Sequence, residues 1–314
     1  MRETYSGINL LRGIAAFGIV GCHLGLSQRT PCGEWVTALC DFNVGLFAAI
    51  SGFLMIYEGE GYLKKRAERL LPTFLVWSAF YIVAIAAFDL VLDGGRLNER
   101  YFSASNWLNV IFRGSAATHL WFIICLFYAQ VSFAYSMRIL GKLISSDTQI
   151  KCLIGLASVV LLYCSIAWQN WWCLYPIRLM SFLLLGYLIK DIVKIDCFWP
   201  SLVSAGLMMV VHLGMRSSMP GFLRDYLLVV PVILLFTSSR FKSNRTFEFL
   251  AVTSMGVYLI HPLFARTMSF VVTRLISPPY NVFVVVMDWI FIWLLSIVVV
   301  VLILKFPMIM RLVK

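Results

Sequence analysis

The chain has 314 residues, of which 61% are hydrophobic and only 13% are charged, and its formal net charge is +11. A soluble domain of this size would carry charges on about a quarter of its residues. Together with a mean hydropathy of +0.87, this composition excludes a soluble globular protein and indicates an integral membrane protein with many spans. The connections between the spans are short, so we expect a single membrane domain over residues 1–314 with no separate soluble domain.

The first hydrophobic segment, residues 8–28, is long enough to cross a bilayer, because about 20 apolar residues match the hydrocarbon core. It nevertheless contains Arg12 and His23. Their separation of eleven residues is close to three helical turns, so we expect both side chains on one helix face, about 16 Å apart along the axis. An ionisable residue inside a membrane span is a candidate for function. This helix is therefore the first candidate for the wall of a functional site.

The later apolar segments predict an all-α fold, a polytopic transmembrane helical bundle of about ten spans. The predicted spans are 8–28, 41–58, 71–92, 119–140, 150–168, 173–190, 198–215, 222–239, 247–265 and 282–305. With these spans, 16 of the 26 Lys and Arg residues lie on the side of the N-terminus and 8 on the other side. The positive-inside rule then places both termini in the cytoplasm. The basic excess is thus a topology signal, and we expect no binding of nucleic acid.

The eight cysteines show no C-x-x-C pair or other zinc spacing, so we expect no metal site. Cys32 and Cys40 share the first outer connection. In an oxidising compartment they either form a disulfide or stay free.

Two polar features flank the cytoplasmic side of the second and third spans. Ser51 and the following Gly52 are small residues. Such residues let membrane helices approach closely, so a packing role is expected for them. Arg66 and Arg69 are three residues apart and so neighbour one another on a helix. They form either a solvated collar that contacts anionic lipid or a clamp for phosphate oxygens, which guanidinium groups bind in bidentate fashion.

Aromatic residues mark the predicted outer interface. His119 and Trp121 begin the fourth span, and Trp168, Trp171 and Trp172 lie in the turn between spans five and six. Tryptophan is typical of the interfacial belt of membrane proteins. For the turn between spans five and six, the alternative is a stacking surface for sugar rings.

The ninth span places Ser254, Tyr258 and His261 on one helix face, because they follow one another at intervals of four and three. A single histidine there is either structural or part of a site. Spans seven and eight are interpreted as apolar and uninformative about function, and the last span as a scaffold helix.

Five motifs together resemble acyltransferase family 3 of bacterial integral membrane proteins. They are LRGIAAFGIVGCH, which has the R-x10-H pattern at Arg12 and His23, AAISGFLM, KKRAERLLP with its R-x-x-R, HLWFI and SMGVYLIHP. They occur in the family's order. The family often has an acidic residue shortly before the arginine, whereas this chain has Asn9 there. The chain also lacks the extracytoplasmic SGNH-type domain of some longer members, so we expect it to act alone or with a separate extracytoplasmic partner enzyme.

The resemblance implies a multi-pass O-acyltransferase of the bacterial cell membrane. Its acyl donor would be acyl-CoA, most commonly acetyl-CoA, on the cytoplasmic side, and its acceptor a hydroxyl of a cell-surface or lipid-linked saccharide on the outer side. No permanently bound cofactor is implied. In this interpretation Arg12 and His23 are catalytic. Acyl-CoA would be bound by Arg12, Arg66 and Arg69, and supporting roles would fall to Ser51, His119, Trp121, Tyr258 and His261.

His23 would act as a general base on the acceptor hydroxyl, since the ordinary pKa of histidine, about 6.5, suits proton transfer at neutral pH. A transient acyl-histidine is the variant. An oxyanion would need a donor, for which Ser51, Tyr258 and His261 are the candidates. The alternative function is a transporter or flippase of a polar or lipid-linked substrate, because buried Arg and His also mark substrate pathways. A third alternative is a membrane scaffold or sensor.

Overall fold

The computed structural model describes residues 5–24, 33–55, 61–92, 119–167, 174–192, 197–216, 218–275, 281–306 and 310. These residues form ten α-helices, as the sequence predicted. In chain order the helices are α1 (Ser6–Cys22), α2 (Gly33–Phe53), α3 (Gly61–Leu92), α4 (Trp121–Leu143), α5 (Asp147–Ala167), α6 (Leu174–Ile192), α7 (Phe198–Gly214), α8 (Gly221–Phe236), α9 (Arg245–Leu275) and α10 (Val282–Leu304).

Six helices are long and apolar enough to cross a membrane, namely α2, α3, α4, α5, α9 and α10. Helices α1 and α7 are apolar as well but have only 17 residues each. The chain is therefore a polytopic membrane bundle. The orientation of its termini, and the single domain over the whole chain, stay predictions.

Several predicted boundaries were wrong. Helix α2 begins at Gly33 and α3 at Gly61, both well before the predicted starts, and α9 continues through Pro262 to Leu275. Hydropathy detects only the apolar part of a helix. The backbone hydrogen bonds of the helix can continue into more polar residues, whose side chains add further bonds. In α2, for example, the Thr37 hydroxyl donates to the Gly33 carbonyl over 2.8 Å. Proline is tolerated within a membrane helix where neighbouring groups satisfy the freed carbonyl.

The described residues divide into two compact units, each of which is described by itself. The first unit, Met1–Met55 and Phe182–Lys314, contains α1, α2, the second part of α6 and α7 to α10. In this unit α1 contacts α2, α8, α9 and α10, and most of its residues are buried. The second unit, Ile56–Ser181, contains α3, α4, α5 and the start of α6, and α3 packs against α4.

Glycines bring α2 and α6 together within the first unit. A Cβ atom at Gly52 would overlap the backbone carbonyl of Leu183, and one at Gly186 would overlap the carbonyl of Ala49. The two helices thus approach as closely as their backbones allow, which is the usual use of small residues between membrane helices. The predicted packing role of Gly52 is therefore confirmed.

We expect Gly186→Ala to lower the free energy of unfolding by about 1–3 kcal/mol, the usual cost of an overpacked contact. The reason is that the new methyl group meets rigid backbone. The control is Gly206→Ala in α7, where nothing lies within 4 Å of an added Cβ. Thermal unfolding of the two variants in detergent measures the difference, and equal unfolding temperatures would contradict the close contact.

Candidate functional site

The two residues of the R-x10-H pattern lie in α1 and at its C-terminal end. Arg12 is half-buried within the helix, and His23 is half-buried directly after the last helical residue, Cys22. The span predicted to reach residue 28 was therefore wrong at its end, because α1 ends at Cys22 and residues 23 and 24 form a turn. His23 lies at the C-terminal end of a helix and not in its interior.

The imidazole of His23 caps the helix that carries it. The His23 amide donates to the Val20 carbonyl over 3.2 Å, and the Leu24 amide donates to Gly21 over 3.2 Å. This tightened final turn leaves the Ile19 carbonyl without the amide that an α-helix would supply. Nδ1 of His23 lies 2.9 Å from that carbonyl oxygen. The helix end therefore holds the ring in one orientation.

His261 of α9 lies against His23. Its Nε2 atom is 3.1 Å from Nδ1 of His23, and the two ring centroids are 4.9 Å apart at an interplanar angle of 61°. The Nδ1 atom of His261 is 3.0 Å from the Val257 carbonyl of the same helix. Two histidines that are 238 positions apart in the sequence thus form one pair.

The remaining candidates of the first unit differ in their distance from the pair. Tyr258 is buried, and its ring centroid lies 6.2 Å from that of His261 and 6.5 Å from that of Phe47 in α2. The hydroxyl of Ser51 donates to the Phe47 carbonyl over 2.9 Å, and that of Ser254 donates to Ala251 over 2.8 Å. Tyr258 is therefore beside the pair, while both serines bond within their own helices.

Packing fixes α1 close to His23. Trp289 of α10 donates from Nε1 to the Phe17 carbonyl over 2.8 Å and stacks on the Phe17 ring at a centroid distance of 4.5 Å. A Cβ atom at Gly21 would lie 2.6 Å from Trp289 and 2.5 Å from Sγ of Cys40, so only glycine allows this approach. Helix α10 thus packs closely against α1, and its role as a scaffold stays a prediction. Cys40 is free, and its predicted partner Cys32 lies outside the described residues.

The candidate phosphate ligands belong to the second unit. Arg66 and Arg69 both lie in the N-terminal turns of α3, where Arg66 is half-buried and Arg69 is exposed. The two guanidinium groups are near enough to act on each other electrostatically. Their neighbouring positions on a helix are therefore confirmed, whereas their ligand stays a prediction.

The aromatic candidates also belong to the second unit. His119 is buried, and its ring meets Tyr81 of α3 edge to face at a centroid distance of 4.8 Å. Trp121 begins α4, and its ring lies 4.7 Å from that of Tyr175. The predicted aromatic turn with Trp168, Trp171 and Trp172 lies outside the described residues.

The interpretation of spans seven and eight as purely apolar was wrong. His212 of α7 and both Arg224 and Asp225 of α8 are buried. Nε2 of His212 donates to the Ala38 carbonyl over 2.7 Å, and Arg224 donates to the His212 carbonyl over 2.6 Å. Nδ1 of His212 lies 3.5 Å from the Asp225 carboxylate. These contacts join α2, α7 and α8.

An averaged hydropathy conceals these residues, because three ionisable side chains among many apolar ones barely change the mean. The signal was nevertheless present, since each ionisable residue inside a span needs a buried partner. The same applies to Asp288 of α10, which is buried in a helix interpreted as purely hydrophobic. Among the described residues, no three His, Cys, Asp or Glu side chains group so as to hold a metal ion.

Comparison with known proteins identifies the family. A sequence model of an acyltransferase domain, that of acyltransferase family 3, matches residues 5–305. No curated protein and no solved structure matches the chain significantly. Because the match covers nearly the whole chain, this protein belongs to the acyltransferase 3 family, as its five motifs indicated. It is a multi-pass membrane acyltransferase.

We expect Asp225→Ala to lower the free energy of unfolding by about 3–5 kcal/mol, as for other broken buried ion pairs. Removal of the carboxylate takes away the acidic group that lies 3.5 Å from Nδ1 of the buried His212. The control is Asp147→Ala, which breaks an exposed pair between Asp147 and Lys151 in α5. Exposed pairs contribute little. Unfolding temperatures in detergent measure the difference, and an Asp225 variant as stable as the Asp147 variant would contradict the buried pairing.

Proposed function

We propose that this acyltransferase transfers an acyl group from acyl-CoA to a hydroxyl of a cell-surface or lipid-linked saccharide, with acetyl-CoA as the expected donor. The proposal places the protein in the cell membrane of a bacterium, the donor on the cytoplasmic side and the acceptor on the outer side. Membership of the family supports the reaction class. The observation that carries the proposal is the pair of His23 and His261 at the end of α1.

The pair suits general-base catalysis. A carbonyl oxygen only accepts hydrogen bonds, so the 2.9 Å contact with Ile19 assigns a proton to Nδ1 of His23. In the neutral ring Nε2 then carries the lone pair. A base needs this lone pair at the nitrogen that meets the acceptor hydroxyl. The position after the last turn of α1 adds a second advantage, because the C-terminal end of a helix stabilises positive charge.

In the proposed reaction, Nε2 of His23 takes the proton of the acceptor hydroxyl while the hydroxyl oxygen attacks the thioester carbonyl. The carbon–sulfur bond then breaks, and the proton passes from Nε2 to the departing CoA thiolate. The ester and free CoA are the products. In the variant with an acyl-histidine, Nε2 itself attacks the thioester, the carbon–sulfur bond breaks and CoA leaves as a thiolate. The acceptor hydroxyl then attacks the acyl group, the carbon–nitrogen bond breaks, and the hydroxyl proton passes to the CoA thiolate.

The donor requires cations because CoA carries several phosphate groups. Arg66 and Arg69 offer two guanidinium groups on adjacent positions of α3, a geometry that suits phosphate oxygens. Arg12 lies about 16 Å from His23 along α1, as the helical rise requires. It supplies a third cation on the helix that bears the base. We propose that Arg66, Arg69 and Arg12 bind acyl-CoA.

The proposal is tested by mass spectrometry of surface glycans from cells that produce the wild-type protein or its His23→Ala variant. A mass increment of one acyl group per modified sugar, present only with the wild type, would support the proposal and identify both the acyl group and the acceptor. Transport of a labelled substrate without any requirement for acyl-CoA would instead support a transporter.

We expect His23→Ala to lower kcat for acyl transfer by about 10²- to 10⁴-fold, the usual contribution of a general base. The reason is that no other group replaces Nε2 at the acceptor hydroxyl. Purified protein in liposomes with radiolabelled acyl-CoA and a soluble glycoside measures the rate. The matched control is Ile14→Ala, an exposed residue of the same helix, which should retain the wild-type rate. Full activity of the His23 variant would refute the mechanism.

We expect Arg66→Ala and Arg69→Ala each to raise KM for acyl-CoA about tenfold while kcat changes little, because they would bind the phosphates of CoA, which are remote from the thioester within the donor molecule. A short acyl thioester without phosphates should show no difference between these variants and the wild type. The matched control is Lys64→Ala, a cation of the same helix with an exposed side chain that pairs with Glu68. An equal rise of KM in this control would show that general positive charge, and not an arginine clamp, binds CoA.

A further inference from the structure

We infer that His261 is a positioning residue whose Nε2 accepts the Nδ1 proton of His23 and thereby keeps the lone pair of His23 Nε2 directed to the acceptor hydroxyl. This inference rests on the proposed function, because it assigns His261 a role in the reaction of His23. It replaces the oxyanion-donor role that the sequence suggested for His261.

The contacts of the two rings determine where the protons lie. Nδ1 of His261 is 3.0 Å from the Val257 carbonyl, which only accepts, so this nitrogen carries a proton. In a neutral ring the other nitrogen, Nε2, is then an acceptor. It faces Nδ1 of His23 at 3.1 Å. Nδ1 of His23 is also protonated, because of its contact with Ile19. The proton between the rings therefore belongs to His23.

The burial of the two rings separates their roles. His261 has 0% of its surface exposed, whereas His23 is half-buried. A substrate can therefore approach His23 but not His261 without displacing other side chains. Both nitrogens of His261 are already engaged by Val257 and His23. A neutral His261 has no further N–H group for an oxyanion, so donation to substrate would require the loss of one of these contacts.

The pair also stabilises the charged state of the base. When Nε2 of His23 takes a proton, the ring becomes an imidazolium, and the N–H group already present at Nδ1 then belongs to a charged ring. That donor is shared between the Ile19 carbonyl and Nε2 of His261. A hydrogen bond from a charged group is stronger than one between neutral groups, and more so away from water. In the serine-protease triad a carboxylate holds the corresponding nitrogen of the catalytic histidine; here a neutral imidazole does so.

Two substitutions of similar size separate this role from a packing role. His261→Gln retains an acceptor oxygen near the position of Nε2, whereas His261→Leu fills the space without an acceptor. We expect His261→Leu to lower kcat by about 10- to 100-fold, the value of a lost charge-assisted hydrogen bond. We expect His261→Gln to restore kcat to within a few-fold of the wild type. KM for acyl-CoA should stay unchanged in both variants.

A double mutant tests whether His261 acts through His23. If it does, His23→Ala combined with His261→Leu should be no slower than His23→Ala alone, because the partner is already absent. If the double mutant lowered the rate by the product of the two single effects, His261 would act on the substrate independently of His23. That result would overturn the inference. Equal rates of the Gln and Leu variants would overturn it as well. With either of these results, an inactive His23→Ala variant would still agree with the proposed function. A fully active His23→Ala variant would refute both the proposed function and the inference on His261.

The fold of the variants is controlled by membrane insertion and by the unfolding temperature. Thr253→Val, which removes a buried hydroxyl that bonds only within α9, is the matched control on the same helix. A measurement on the wild type needs no variant at all. The ¹⁵N NMR signals of labelled His23 should show a proton on Nδ1 and none on Nε2. The opposite tautomer would overturn the inference even if His261→Leu failed to fold.

Discussion

The contact between Nδ1 of His23 and Nε2 of His261 is the interaction on which the site depends. It requires that α1 end at Cys22, so that the imidazole of His23 can replace an amide at the Ile19 carbonyl. It also requires that α9 run beside α1 with His261 at the same depth. Whether a ring nitrogen donates or accepts a hydrogen bond is determined by the group that faces it. Neither ring alone would therefore fix this arrangement.

Membrane-spanning segments leave few ways to hold a polar ring still. Apolar neighbours exclude other hydrogen-bonding partners, so a buried imidazole must find its acceptors on the backbone or on another side chain. Both histidines of the pair use a carbonyl of their own helix, and His212 uses the carbonyl of Ala38 in α2. Backbone carbonyls thus serve both the site and the buried ionic contacts of α7 and α8, with different consequences. At the site the carbonyls fix the orientation of the two rings, whereas the contacts of His212 join helices.

The fold could be predicted from the sequence to a large extent. Runs of apolar residues located ten helices, because only helices satisfy the backbone of such segments in lipid. Their ends could not be predicted equally well. At the end of α1 a side chain occupies the carbonyl that an amide would take in a longer helix, and α9 continues through Pro262. A hydropathy average contains no information on the hydrogen bonds at a helix end or at a proline. It also concealed the ionisable residues of α7 and α8.

By itself the sequence determined that the chain is a polytopic membrane protein, that Arg12 and His23 belong to its first apolar segment, and that its motifs are those of acyltransferase family 3. These conclusions depend on composition and on spacing along one helix, which are local properties. Only the tertiary structure decided that His261 is the partner of His23, and that Ser51 bonds within its own helix. Contacts between distant segments depend on how helices pack and on which carbonyls remain unpaired, and neither is encoded in the spacing of residues along the chain.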